Sequence, residues 1–419
     1  MTVRAGLLVV GVRELATLTG GGVPRVGAAM RELTVIDHAA VAVDQGRFVF
    51  VGTERAARRE VRLRAGGSEW DARGAVGVPG FVDAHTHALF AGDRHGELAL
   101  KIQGSTYSEI AREGGGMYST VRATRRASDA TLIAETDQRL ARMAANGATC
   151  VEVKSGYALN HLGEIRLLEL MPRLARRSGI RIVPTFLGAH AVPPEYAGRA
   201  DEYIDRMIRR TLPEIARRHL AAFCDVFCEP GFFTPAQSER LLRAASALGL
   251  GTKIHAEEFV VSGGAALAAR LGVRSADHLV EASDDDRAAL ARAGVTAVLL
   301  PATPVASLTS RHSPGRAMVD AGVPVALGSD LSPNSWIESM PLVLSFASYL
   351  ARLTPAEAIT AATVNAAHAI GVAGESGQIA VGRSADLALF DTGSVEGIGY
   401  RWGAVPVRVY RQGIPISPP

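Results

Sequence analysis

The sequence predicts an α/β protein: a (β/α)8 barrel carried between the two halves of a small β-sandwich domain built from both chain ends. Three observations point there. Beyond residue 75, eight short apolar runs alternate with longer amphipathic segments rich in Arg and Ala, the signature of a parallel sheet with crossover helices. Residues 1–75 and 376–419 instead hold short β-like pieces joined by Gly-rich turns, with too little alternating apolar sequence for a core in either piece alone. Finally, 47% of the 419 residues are hydrophobic, enough to fill one large barrel. The expected division is 1–75 for the first half of the β domain, 76–375 for the barrel and 376–419 for the second half.

In the first half, Leu7 to Val10, Val41 to Asp44 and Arg47 to Val51 read as strands. The barrel strands are expected at Phe81 to His85, Thr149 to Lys154, Arg181 to Leu187, Cys224 to Cys228, Thr252 to Ala256, Ser275 to Leu279, Thr296 to Leu300 and Pro324 to Gly328. Between them, helical periodicity covers Ala130 to Asn146, Leu162 to Ser178, Glu202 to His219, Pro235 to Leu248 and Gly263 to Leu271. At the other end, the segment from Gly377 and the run Val405 to Tyr410 complete the β domain.

Composition excludes several classes of function. Forty-five basic against 42 acidic residues leave a net charge of +3, too near balance for a nucleic-acid or anionic-membrane partner. The Arg clusters 173–181 and 206–218 fall on helix-period segments and read as solvated outer faces. Gly114-Gly-Gly-Met lacks the strand-before, helix-after context and the Gly-Lys-Ser/Thr ending of a phosphate loop, and reads as a flexible loop. Lysine occurs only at 101, 154 and 253, a bias ascribed here to genomic composition. The start of the chain offers only Leu7 to Val10 before Arg13, too short for a signal-peptide core or a membrane span, so a soluble cytoplasmic protein is expected. Cys150, Cys224 and Cys228 have no zinc-ribbon spacing and sit in apolar strands, as buried free thiols do.

Chemistry concentrates at one end of the expected barrel, the C-terminal ends of the strands, where such folds build their sites. His85 and His87 share one face of an extended segment, so both imidazoles can converge on one cation. His190 follows strand three, His255 ends strand five, Asp277-His278 end strand six and Asp330 follows strand eight. Three imidazoles and a carboxylate, His85, His87, His255 and Asp330, make a mononuclear set for zinc or iron with room for a water, and a cation so held favours hydrolysis of a carbon–nitrogen or ester-like bond. Glu258, three residues past His255, and His278 are the candidates for proton transfer. No Gly-X-Ser-X-Gly elbow and no Cys beside a base offers a nucleophile. Lys154 follows strand two, the wrong strand for a lysine that bridges two metals, which favours a single ion.

Pro79-Gly-Phe-Val-Asp-Ala-His-Thr-His-Ala-Leu-Phe-Ala-Gly-Asp-Arg, Gln103-Gly-Ser-Thr-Tyr, Glu152-Val-Lys-Ser-Gly-Tyr, Phe186-Leu-Gly-Ala-His-Ala-Val-Pro, Lys253-Ile-His-Ala-Glu-Glu and Leu327-Gly-Ser-Asp together resemble the amidohydrolase superfamily, and within it the enzymes that open an imidazolone ring in histidine degradation. His-X-His marks only the superfamily, whereas Ala91-Gly-Asp-Arg with Lys154-Ser-Gly-Tyr is far more specific. The resemblance implies a TIM barrel of the metal-dependent hydrolase type, one Zn2+ or iron ion per chain on His85, His87, His255 and Asp330, and a homodimer. It implies hydrolysis of 4-imidazolone-5-propanoate, a small anionic heterocycle, to N-formimino-L-glutamate, with Glu258, His278 and Asp330 catalytic. Arg94, Tyr107, Tyr157, His190 and Glu258 are the implied substrate contacts. One departure stands out: the family's Asn-Pro-Gly-Ser after the strand-eight Asp reads Ser332-Pro-Asn334-Ser335 here, so Ser332 and Asn334 replace two product contacts while Ser335 matches. Another amidohydrolase acting on a related cyclic amidine or purine-like ring is the main alternative. A non-catalytic ligand-binding barrel is the other, weakened because Glu258 and His278 would then have no reason to accompany a full ligand set.

Overall fold

The computed structural model describes residues 2–20, 22–105, 109–110 and 113–416. Eight parallel strands make the barrel: β6 (Phe81–Asp83), β7 (Ala148–Lys154), β8 (Arg181–Ala189), β9 (Phe223–Cys228), β10 (Gly251–Ala256), β11 (Ser275–His278), β12 (Thr296–Leu299) and β13 (Val325–Leu327), each paired with the next. They fall on the eight expected runs. Parallel strands are covered on both faces, which is why they are continuous apolar runs rather than alternating ones.

The ring closes where the last strand meets the first. Ala84 N donates to Leu327 O, Asp330 N to His85 O at 3.0 Å and His87 N to Leu331 O at 2.8 Å, and Thr86 bridges Leu331 in parallel register. Gly328 permits this approach, because a Cβ there would stand 2.7 Å from His85 Cβ. At the opposite end of the barrel, Ala366, Ala369 and Ile370 from the helix Val364–Ala369 and its C-cap pack against the inward-facing Val82, Ala84, Val298 and Ala326.

The crossover helices carry their own start and stop signals. Thr234 caps the helix Pro235–Ala247 in a reciprocal pair with Gln237, and Gly179 closes His161–Ser178 in the left-handed conformation. The single helix expected over Glu202 to His219 is interrupted: Ala200–Arg206 passes through a π-type turn, Met207–Thr211, before Leu212–Arg218. Pro213 explains the widening, since its ring excludes the carbonyl four residues earlier and it has no N–H to donate.

Both chain ends enter one mixed sheet of eight strands: β1 (Val3–Ala16), β2 (Val35–Asp44), β3 (Arg47–Thr53), β4 (Val61–Asp71) and β5 (Val76–Pro79) with β14 (Leu387–Phe390), β15 (Pro406–Arg411) and β16 (Ile414–Pro415). The strand leading into the barrel, β5, lies antiparallel to β14, the strand that follows it, with Val78 opposite Ala388. Asn365 fastens barrel to sheet region, accepting from Arg25 N and donating to Arg25 O and Val325 O. No described helix is long and apolar enough to cross a membrane.

The three cysteines are buried and unpaired. Burial pushes the Cys150 thiol up to about 12 and Cys228 to about 11, and raises Cys224 likewise. At pH 8 the folded chain is therefore expected to resist an aromatic disulfide reagent for minutes. Unfolding without reductant should release three equivalents of thiol, and fewer would reveal a disulfide.

Candidate active site

The seam of the barrel builds the centre. His85 and His87 lie just past β6 on either side of the bridging Thr86, and Asp330, just past β13, is drawn beside them by the hydrogen bond its N–H gives to His85 O. His85 Nε2 and His87 Nε2 are 3.2 Å apart and lie 3.5 and 3.4 Å from Asp330 Oδ1. Thr303 donates to the other oxygen of Asp330 at 2.8 Å. His255 ends β10 with its ring 4.6 Å from that of His85, and His278 ends β11 with its ring 5.2 Å from that of His255. Asp330 and His278 both hold left-handed backbone conformations, φ 52° and 74°, a strain that non-glycine residues accept chiefly at functional sites.

These side chains are buried, and their protons do not satisfy one another. His85 Nδ1 donates to Asp277 Oδ2 at 2.6 Å, which leaves the Nε2 lone pair facing His87 and Asp330. His255 Nε2 and His87 Nδ1 are buried with no hydrogen-bond partner. Burial foremost, then neighbouring cations and imidazoles, holds His85, His87 and His278 well below the usual histidine range and His190 at about 3. Neutral imidazoles are the form that binds metal, and burial lifts the Asp330 carboxyl to about 6. Ligand atoms within 4.8 Å of one another fall in two overlapping triads, His85–His87–Asp330 and His85–His255–His278. Nitrogen donors with one carboxylate and an orphaned Nε2 fit a divalent zinc or iron ion.

A third triad, His85–Glu152–Asp277, is already filled by lysine. Beneath the histidines, Lys154 Nζ lies 2.7 Å from Asp225, 2.9 Å from Glu152 and 3.5 Å from Asp277. Lys253 Nζ lies 2.8 Å from Glu152 and 3.6 Å from Asp277, and donates to Ala84 O. All five side chains are fully buried. Burial opposes the charge on Lys154, but Asp225, Glu152 and Asp277 more than reverse it and raise its pKa. Two of these acids reach the upper tier. Asp277 orients His85, and Asp225 Oδ2 is 3.1 Å from His255 Nδ1, out of line for a good hydrogen bond. Such partners fix the tautomer and direction of a ligand imidazole. Sequence reading missed this tier, although a charged residue inside a buried run, as in Phe-Cys-Asp225-Val-Phe-Cys, was its signal.

Above the histidines, one cavity is lined by His87, Arg94, Tyr157, His190, His255, Glu258, His278, Asp330, Ser332 and Asn334. It thus brings together all but two of the sequence-expected contacts. Ser335 is buried behind the rim, exchanging backbone and hydroxyl bonds with Ser332. Tyr107 lies outside the described residues. The rings of His190 and His87 stack at 4.7 Å, and Tyr157 stands 5.3 Å from His190, giving the pocket flat walls. Arg94 faces the pocket while its Nη2 and Nε reach Glu97 at 2.6 and 2.9 Å. Glu258 Oε2 is 3.6 Å from His278 Nε2, and burial, with Asp330 and Glu229 nearby, pushes its carboxyl well above the usual range.

A closed parallel barrel with a histidine–aspartate cluster at the strand ends is the architecture of a metal-dependent hydrolase, and the amidohydrolase family model matches residues 92–398. A crystal structure of an adenosine deaminase from Xanthomonas campestris with bound zinc superposes with a TM-score of 0.70 at 21% identity, covering 99% of this chain and 93% of that one. Zinc-bound atrazine chlorohydrolase from Arthrobacter aurescens gives 0.65 at 18% identity, covering 98% and 94%. Both are likenesses of fold. Much nearer in sequence are imidazolonepropionase of Symbiobacterium thermophilum, 46% identical over 97% of this chain and 96% of its relative, and that of Geobacillus thermodenitrificans, 44% identical over 93% of each. The chain belongs to the imidazolonepropionase family of amidohydrolases.

Proposed function

We propose that this chain hydrolyses the ring amide of 4-imidazolone-5-propanoate to N-formimino-L-glutamate, the third step of histidine degradation, as a cytoplasmic homodimer. One observation carries the reading: four donor side chains suited to zinc or iron and a flat-walled pocket bearing Arg94 and Glu258 share one barrel mouth. His85, His87, His255 and Asp330 would hold one such ion per chain, which when bound would supply a Lewis acid for the ring carbonyl and a lower pKa for water.

The chain's own groups account for the rest. Tyr157 and His190 offer aromatic faces to a planar ring, and Arg94 a guanidinium to its carboxylate. Oxygen from water bonds to the ring carbonyl carbon, and the bond from that carbon to the ring nitrogen breaks as the nitrogen takes a proton. Glu258 is the group suited to receive the proton from water and return it to the nitrogen, because it lines the pocket over the histidines and its burial, with Asp330 and Glu229 nearby, raises its affinity for a proton. His278, 3.6 Å from Glu258, steadies that carboxyl.

Single-turnover assays test the proposal. Metal-replete protein is expected to open imidazolone propionate, and chelated protein to lose at least about 1,000-fold in rate, with metal content near one equivalent per chain. Metal-replete protein that leaves this ring intact while opening a hydantoin or deaminating a purine would refute it.

A further inference from the structure

Lys101, on the helix Gly96–Ile102, holds a charge that the proposed mechanism does not use. Its ammonium donates to Asn334 Oδ1 at 2.8 Å and to Ala306 O at 3.3 Å, both neutral acceptors. Among the described residues it forms no ion pair with a carboxylate. Glu97, the acid that acts on it electrostatically, is engaged by Arg94 and by the N–H of Gly116. An ammonium has three donors, so one N–H and the full charge remain for a ligand. The group is half-buried, and burial and the nearby Arg94 disfavour its charge, a cost that an incoming anion would relieve.

Its surroundings say where that anion would come from. Lys101 lines a cavity of roughly 700 Å3 whose wall includes Glu258, Phe259, His278, Thr303 and Asn334. The same five residues line the pocket over the histidine cluster, so the two spaces adjoin across a shared wall. A flat ring seated at the histidines can therefore send an acidic side chain toward Lys101. Arg94 is not equivalent, since its Nε and Nη2 already serve Glu97.

We propose that Lys101, held at the cavity wall by Asn334, is the specificity-determining cation that takes the carboxylate of the ring substrate, with Arg94 as its companion. This rests on the reading of the reaction given above. It selects substrates that carry an acidic arm of a few bonds and discriminates against neutral rings.

Steady-state kinetics of metal-replete wild type, Lys101→Met and Lys101→Arg test it, with imidazolone propionate and its uncharged carboxamide. Lys101→Met is expected to raise KM for the acid by about 10- to 100-fold with kcat within about twofold, to leave the carboxamide unchanged, and to be largely rescued by arginine. An unchanged KM for the acid would overturn the assignment, and so would an equal loss on the carboxamide, which marks a structural tether. Should the wild type turn nothing over, the proposed reaction falls. Lys101 is then judged by calorimetry of the same acid and carboxamide, where Lys101→Met must weaken only the acid.

Discussion

Lys154→Met is expected to destabilise the barrel by about 3–5 kcal/mol, the usual cost of removing one partner from a buried ion cluster. Glu152, Asp225 and Asp277 would keep their negative charges in a space from which water is excluded, with Lys253 alone to answer them. Methionine fills most of the volume, so lost packing adds little and the effect is electrostatic. Urea unfolding of the two proteins at one pH measures it. Asp225→Asn in the same background should recover part of the loss, because it removes the nearest unanswered charge. A midpoint that barely moves would show that the carboxylates simply take up protons, and the view of Lys154 as keystone would be wrong.

Asp330→Asn is expected to lower kcat/KM by about 1,000-fold, roughly 4 kcal/mol of transition-state stabilisation, and to lower metal content with it. Asparagine keeps the size and can still accept from the Thr303 hydroxyl, so folding should survive. What it loses is the anionic oxygen that faces His85 Nε2 and His87 Nε2 at about 3.5 Å. Circular dichroism, metal analysis and turnover on one preparation separate loss of the ion from loss of the fold. Full metal content with unimpaired turnover would remove Asp330 from the site.

Much of this architecture was legible because its signals are local. A strand covered on both faces must be apolar along its length, and eight such runs separated by helix periodicity leave few alternatives. His85 and His87 announce a shared face by spacing alone. The charged tier beneath them was not legible, because Glu152, Lys154, Asp225, Lys253 and Asp277 come from four different strands and become partners only when the barrel is ordered. The scarcity of lysine was ascribed to genome composition, yet two of the three lysines lie sealed under the site and the third on its cavity wall. Strand β4 was missed since its residues are largely exposed and carry no buried alternation. Pro213 was visible within the expected helix, but the π-type turn before it depends on how that helix packs.

The pairing of β5 with β14 sets the order in which this molecule can be made. Val78 meets Ala388 only after about 300 further residues have left the ribosome, roughly 15 to 60 s at ordinary elongation rates. Until then one edge of the nascent N-terminal sheet stays unsatisfied, open to a neighbouring nascent chain on the same polysome. Translation speed and chaperone supply over that interval should therefore govern how much of the chain reaches its native form.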